Sequence, residues 1–189
     1  MLKTFKAIHP QVLQAHIGWA QFRFLFTVSD RRMTVLSNTA PGFFAVLRDV
    51  LRNEAFMGIR RLTDPPETSG KRNLSLRTLV KLADASSNLR LSSEANAKLT
   101  ELLARAKTIR EVGDVWIAHT DLVRALSDTP LADLKVQRGE VDEVLRLIRE
   151  LVWLFADHLS EARVNYDLPI IVGDADALAR FLEGATNAP

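Results

Sequence analysis

The chain has 189 residues, of which 47% are hydrophobic and 25% are charged, the balance of an ordinary globular protein. Its 25 basic and 23 acidic residues nearly cancel to +2, so net charge alone indicates neither a nucleic-acid nor a membrane partner. The chain contains no cysteine, which excludes disulfides and thiolate metal sites.

The chain carries no apolar run close to the ~18 residues that a membrane span needs. Its first residues, MLKTFKAIHPQ, contain His9 and Pro10 where a signal peptide would have its apolar core. We therefore expect a soluble, cytoplasmic protein without a membrane partner. The length is sufficient for one domain with a sizeable core and short for two, which predicts a single domain over 1–189.

Two long helices are predicted in the first third of the chain from apolar spacing of ~100° per residue. The first covers roughly 10–29 and is apolar almost all round, which is typical of a helix that is central or shared with a second subunit. The second begins near Pro41 and ends before Pro65. Its apolar face comprises Phe44, Leu47, Leu51, Ala55, Ile59 and Leu62.

Further helical spacing is found at 76–83, 99–106 and 141–159. Helix starts are predicted at Ser92-Ser93-Glu94 and at Asp174.

Polar connections are expected near 64–75 and 125–140, and LPIIVG at 168–173 is a short, isolated strand candidate. The pattern as a whole predicts an all-α bundle of about five or six helices.

Common catalytic signatures are missing from the sequence. The histidines at positions 9, 16, 119 and 158 include no i, i+4 pair of the kind that binds zinc on a helix. The stretch PETSGKRN has one glycine and lacks the spacing of a phosphate-binding loop. Neither a metal nor another cofactor is therefore predicted, and a nucleotide kinase or a Ser-His-Asp hydrolase is disfavoured.

A basic segment, RRLTDPPETSGKRNLSLRTL, begins at Arg60. Two interpretations of it remain open. In one, it is a solvated helix–helix connection in which arginines at a helix C-terminus complement the dipole. In the other, it contacts a phosphate backbone, which requires cations without base readout. The candidate RNA- or phosphate-binding residues are Arg60, Arg61, Asp64, Lys71, Arg72 and Asn73.

A second segment, IREVGDVWIAHTDL at 109–122, places a histidine on a predicted amphipathic helix. His119 shares the apolar face with Val112, Val115 and Trp116, whereas a polar face carries Arg110, Asp114 and Asp121. His119 is then either a core or interface residue, or a group that transfers protons near neutral pH.

Together, GIRRLTDPPETSGKRNLSL at 58–76 and WIAHTDL at 116–122 resemble the HEPN superfamily, in particular its abortive-infection, AbiU-type branch. The resemblance runs from APGFFAVLRDVL to GDADALARFLEG, most of the chain. It implies one HEPN-like helical domain that pairs as a two-fold homodimer. In active members, an arginine, then about four to six residues, then a histidine lie on one helix, and two copies of that helix form a metal-independent ribonuclease site at the dimer axis.

On this resemblance His119 matches the motif histidine and would be the general acid/base, with Asp121 or Asp114 orienting it. The motif arginine would stand at 113, but this chain has Gly113 there, which suggests a close helix–helix approach or a local kink. The guanidinium that stabilises phosphoryl charge would then come from Arg110 or from the Arg60/Arg61/Arg72 cluster.

Three functional hypotheses follow. Gly113 favours a dimeric binding or regulatory module that is related to phage-defence and toxin ribonucleases and has a degenerate active site. The alternative is an active, metal-independent RNA endonuclease that uses His119. A plain helical scaffold is the third, motivated by the near-zero net charge. RNA and an antitoxin or other protein are the partners that the resemblance suggests.

Overall fold

The first helix is longer at its start than predicted. The computed structural model describes residues 1–113, 136–166 and 173–185, and its helix α1 spans Leu2–Phe26. The predicted start at 10 was wrong: Pro10 lies inside the helix, because the buried side chains of Phe5 and Ile8 hold the turns before it in the core. The helix ends at Phe26, where Thr27 Oγ1 donates to the carbonyl of Arg23.

A helix that was not predicted follows directly. Helix α2 spans Asp30–Thr39, and its N-cap, Ser29, accepts a hydrogen bond from the backbone N–H of Arg32. Only Arg32, Val35 and Leu36 are buried in it, which is too few apolar positions to give a helical pattern. Helix α3 spans Pro41–Thr63, with Pro41 at its first position, as predicted.

The connection after α3 contains a small hairpin. Strand β1 (Glu67–Thr68) pairs antiparallel with β2 (Lys71–Arg72), with Glu67 opposite Arg72. The two residues between the strands, Ser69 and Gly70, both have positive φ, at 50° and 74°. Turns of this kind suit the right-handed twist of paired strands, which explains why so short a hairpin forms.

The remaining described elements are helical: α4 (Leu76–Asp84), α5 (Leu89–Arg105), α6 (Lys107–Val112), α7 (Arg138–His158) and α8 (Ala175–Ala185). The start predicted at Ser92–Glu94 was wrong, because the Asn88 side chain already accepts from the N–H of Leu91. The start predicted at Asp174 is confirmed, since its Oδ1 accepts from the N–H of Ala177 at 2.9 Å.

Two other predictions fall largely beyond the described residues. The strand candidate at 168–173 overlaps residues 167–172, which lie outside them, and residues 125–135 of the polar connection predicted near 125–140 lie outside them as well. The end of that connection is described, and α7 begins there at Arg138, earlier than the predicted 141.

The core forms where α1 lies along α3, and where α5 packs between α4 and α7. Close approach of α1 and α3 depends on Gly58, because a Cβ there would lie 3.0 Å from the Cβ of Ala15. A smaller cluster of Leu25, Leu36, Phe44 and Ala179 joins α8 to α1, α2 and α3.

The all-α class is confirmed. The described residues form eight helices rather than five or six, and one of the additional helices is α2, which buries too few apolar side chains to be recognised from their spacing. None of the helices in the described ranges is long and apolar enough to cross a membrane.

Candidate active site

The ends of α3 and α6 bring several of the predicted site residues together. Arg60 lies in the last turn of α3, Asp64 follows that helix, and α6 packs against α3 with Arg110 in its own last turn. Gly113 follows α6 directly and is buried. The end of α3, which belongs to the first of the two segments that carried the family resemblance, therefore lies beside α6 and Gly113.

Gly113 packs against the side chain of Arg60. A Cβ added at Gly113 would lie 3.2 Å from Cδ and 3.7 Å from Cβ of Arg60, so a side chain at 113 would force the arginine to move. This contact confirms the expectation that the glycine serves a close helix–helix approach. It also puts the stem of an arginine from α3 beside the position where the motif arginine was expected.

Arg110, the nearest arginine in sequence to Gly113, binds the end of α3. Its Nη1 donates to the carbonyl oxygen of Thr63 at 2.7 Å. The last carbonyls of a helix have no partner within that helix, so a guanidinium satisfies one of them and also complements the dipole. This contact fixes Arg110 as a link between α6 and α3.

The charge of Arg60 is partly balanced within its own turn. Its Nη1 lies 3.9 Å from Oδ2 of Asp64, and the two side chains are 25% and 22% exposed. Thr63 between them is fully buried, and its hydroxyl donates to the carbonyl of Ile59 at 2.8 Å. A half-buried guanidinium with a carboxylate at this distance keeps access to solvent and can bind an anion.

Arg61 is not brought to the same place. It is exposed, and its Nη2 donates to Glu54 at 2.8 Å, on the outer side of α3. Lys71 and Arg72 are exposed on β2, in the hairpin that follows Asp64.

Asn73 closes this hairpin. Its Nδ2 donates at 2.8 Å both to the carbonyl of Pro65 and to Thr68 Oγ1, and its backbone N–H donates to the carbonyl of Pro66 at 2.9 Å. The amide N–H groups are thus used within the protein, leaving an oxygen that a phosphate would repel. The contacts support a role for Asn73 in shaping the hairpin.

A scan against protein-family models matches the chain to HEPN_AbiU2, described as AbiU2, over residues 2–178. The chain belongs to the AbiU2 family of HEPN domains. No curated protein and no solved structure matches it.

The histidine end of this AbiU2 domain's motif lies outside the described residues. His119, Asp114 and Asp121 fall within 114–135, so their roles in catalysis stay predictions. In the part of the chain that is described, there is no group of three or more potential metal ligands among His, Asp and Glu.

The partners of Thr63 and Gly113 in this AbiU2 domain were not predicted. Thr63 contributes a backbone carbonyl, which any residue carries, so its sequence position gives no signal. Gly113 did stand out, because glycine is unfavourable within a helix by ~1 kcal/mol relative to alanine. The glycine therefore indicated a close contact, but the sequence did not identify its partner, Arg60, which is 53 positions away.

Proposed function

We propose that this AbiU2 domain is a metal-independent RNA endonuclease of an abortive-infection response, in which Arg60 replaces the arginine missing at position 113. Family membership supports a ribonuclease-like function related to abortive infection. The observation that carries the proposal is the packing of the Arg60 stem on Gly113. The substitution at 113 then moves the cation to another helix instead of removing it.

The proposed chemistry divides the work between Arg60 and His119. His119 accepts the proton of an RNA 2′-hydroxyl, whose oxygen bonds to the adjacent phosphorus as the P–O5′ bond breaks. The departing 5′-oxygen takes a proton from the protonated His119 imidazolium of a second copy in a homodimer, and the products are a 2′,3′-cyclic phosphate and a 5′-hydroxyl. Arg60 stabilises the charge that grows on the phosphoryl oxygens.

The test is cleavage of single-stranded RNA by the purified protein with a chelator present. We expect products with 2′,3′-cyclic phosphate ends, no cleavage by His119→Ala, and a rate about 10²–10³-fold lower for Arg60→Ala. Arg52→Ala is the matched control, because Arg52 is an exposed arginine of the same helix that pairs with Asp49. A dependence on Mg²⁺ would contradict the mechanism.

A double variant tests whether Arg60 takes the place of an arginine at position 113. Arg60→Ala clears the space beside position 113, so Gly113→Arg on that background should recover part of the lost rate. Gly113→Arg alone should disturb packing, since its side chain meets Arg60. If Arg60→Ala cleaves at the normal rate while His119→Ala does not, the endonuclease stands and the role of Arg60 is wrong.

The second candidate is a dimeric binding or regulatory module without cleavage. Two observations favour it: position 113 carries no guanidinium, and the nearest arginine in sequence, Arg110, is engaged with Thr63. It predicts that RNA stays intact while binding weakens steeply with salt, as expected when exposed cations such as Lys71 and Arg72 contact phosphates. An antitoxin or other protein partner belongs equally to both candidates and stays a prediction.

A further inference from the structure

Basic side chains continue from the candidate active site along the hairpin and into α4. Between positions 65 and 83 the chain has four basic residues and a single acidic one, Glu67. The four basic residues, which we call the basic track, are Lys71, Arg72, Arg77 and Lys81. Lys71, Arg72 and Lys81 are exposed, and Arg77 is partly exposed. One continuous segment of the chain therefore presents four positive charges to solvent.

The charges of the basic track are not neutralised by neighbouring carboxylates. None of the four side chains forms an ion pair with a residue that the structure describes. Glu67 lies opposite Arg72 in the hairpin, but their side chains do not form an ion pair. Asp84, at the end of α4, accepts hydrogen bonds from Ser92 and Asn96 at 2.6 Å each. The track can therefore bind an anionic partner without first breaking an ion pair within the protein.

Hydrogen bonds hold the backbone of the basic track in place. Asn73 ties the hairpin to the carbonyl of Pro65, just beyond the end of α3. On the other side, the hydroxyl of Thr78 in α4 donates to the carbonyl of Asn73 at 2.7 Å. Arg77 and Lys81 lie one turn apart on α4, outside its buried stripe. The four cations thus keep a fixed order that starts beside the end of α3, and little freedom of the backbone is lost when they bind.

The surface around the basic track lacks the apolar centre that a protein partner requires. No large apolar side chain between positions 51 and 88, a stretch that is fully described, is exposed. Protein interfaces have a buried apolar centre from which charged residues are depleted. Contacts to a phosphate backbone need cations and no apolar surface. The composition of this surface therefore favours a nucleic-acid strand over a protein.

We propose that the basic track binds the phosphates of the RNA strand on one side of the bond that is cut, and so guides the strand past Arg60. This inference rests on the proposed function in taking RNA as the substrate. The track performs no chemistry, so Arg77 and Lys81 are positioning residues that act on long RNA. A dinucleotide has only one phosphate and cannot occupy the cleavage site and the track together.

A binding experiment that needs no cleavage tests the track directly. The probe is a fluorescent 2′-O-methyl oligouridylate of about 20 nucleotides, which lacks the attacking hydroxyl, and anisotropy is measured with the full chain at several salt concentrations. Arg77→Gln/Lys81→Gln should weaken binding roughly 10–30-fold at 0.1 M salt and hardly at 1 M. The slope of log K against log salt should become shallower by about 1.4, since each phosphate contact on a single strand contributes ~0.7.

The matched control is Arg48→Gln/Arg52→Gln. These two arginines are 48% and 45% exposed in the first half of α3, away from the hairpin, and their loss removes the same charge. The control should bind within about threefold of the unmodified chain and keep its salt slope, with folding of all variants checked by circular dichroism. Equal weakening in both double variants, or an unmodified chain that does not bind the probe, would overturn the proposal.

Cleavage kinetics separate this inference from the proposed function. For a cleavable RNA of about 20 nucleotides, Arg77→Gln/Lys81→Gln should raise KM about tenfold with kcat nearly unchanged, whereas kcat/KM for the dinucleotide UpU should stay normal. If the chain binds the probe through the track but cleaves no RNA, the endonuclease is wrong and the track stands. If the chain cleaves RNA and the double variant binds and cleaves normally, the endonuclease stands and the track is wrong.

Discussion

Arg32 connects α2 to the C-terminal helix α8, and its replacement by methionine should release that helix. The Arg32 side chain is 6% exposed. Its Nε donates to Glu183 at 2.8 Å, and its Nη1 donates to Asp176 at 2.8 Å and to the Phe24 carbonyl at 2.7 Å. Methionine fills much of the same volume but leaves both carboxylates and the carbonyl without this donor.

The expected loss of unfolding free energy is about 3 kcal/mol, the lower end of what breaking a buried ion pair costs. The lower end applies because Asp176 keeps a second partner, Arg180. For a domain of this length, such a loss corresponds to a melting temperature lower by roughly 6–12 °C.

Two measurements check the effect of Arg32→Met: thermal unfolding by circular dichroism, and hydrogen exchange of the amides of α8. Arg180→Met is the control, because Arg180 is exposed and binds the same Asp176, so its removal should have little effect. Unchanged melting together with unchanged exchange of α8 in Arg32→Met would refute the assignment of Arg32 as the link.

Low pH should weaken the ion pairs between Arg32 and the carboxylates of α8. The hydrogen bond from Arg32 lowers the pKa of Glu183, and hydrogen bonds from Arg180 and then Arg32 lower that of Asp176. A carboxylate whose pKa is lowered in the folded state stabilises the fold at pH values above its unfolded-state pKa. This stabilisation is lost as the pH falls through the folded-state pKa. In Arg32→Met, the stability of α8 should therefore depend less on pH in that acid range.

Three further predictions concern stability. Burial lowers the pKa of His16 from 6.5 to about 4, so the unfolded state binds the proton more readily than the folded state. The free energy of unfolding should therefore fall by about 3 kcal/mol as pH drops between these values. His16→Gln should flatten that part of the pH profile, and an unchanged profile would contradict the burial of a neutral imidazole. Gly58→Leu should destabilise the fold by about 1–3 kcal/mol in denaturant melts, because Ala15 occupies the space. Gly139→Ala should be neutral or stabilising, since Gly139 lies in the exposed first turn of α7 with nothing within 4 Å of an added Cβ; equal effects of the two changes would refute the close approach of α1 and α3. Ser75→Ala should lower the free energy of unfolding by ~1 kcal/mol, because buried Ser75 is the N-cap of α4 and accepts a hydrogen bond from the N–H of Thr78. Ser75→Asp should retain most of the stability, because aspartate also caps a helix.

Local signals in the sequence predicted much of the fold. Pro41 and Pro65 bracket α3 because proline suits a first helical turn and disfavours continuation after the last. The apolar stripe of α7 is regular enough to be found without knowledge of its partners. By contrast, α2 is stabilised by a capping serine and by the buried Arg32, whose partners Asp176 and Glu183 are distant in sequence.

The sequence predicted individual residues of the candidate site but not the contacts between them. The sequence indicated that Arg60, Asp64 and Arg110 are candidates, but periodicity on one helix could not reveal that α6 ends against α3. The contact of Arg60 with Gly113 and the bond from Arg110 to Thr63 join residues on different helices. Such pairings depend on how helices pack, and a single sequence does not record them.

Because a Cβ at position 113 would lie 3.2 Å from Cδ of Arg60, we expect the residues at positions 60 and 113 to vary together among homologues. Among homologous proteins, an arginine at 113 should accompany a short residue at 60, and a glycine at 113 should accompany a long cationic one. Under the proposed role of Arg60, a search for active family members that inspects only the residues before the histidine would discard chains whose cation lies on α3.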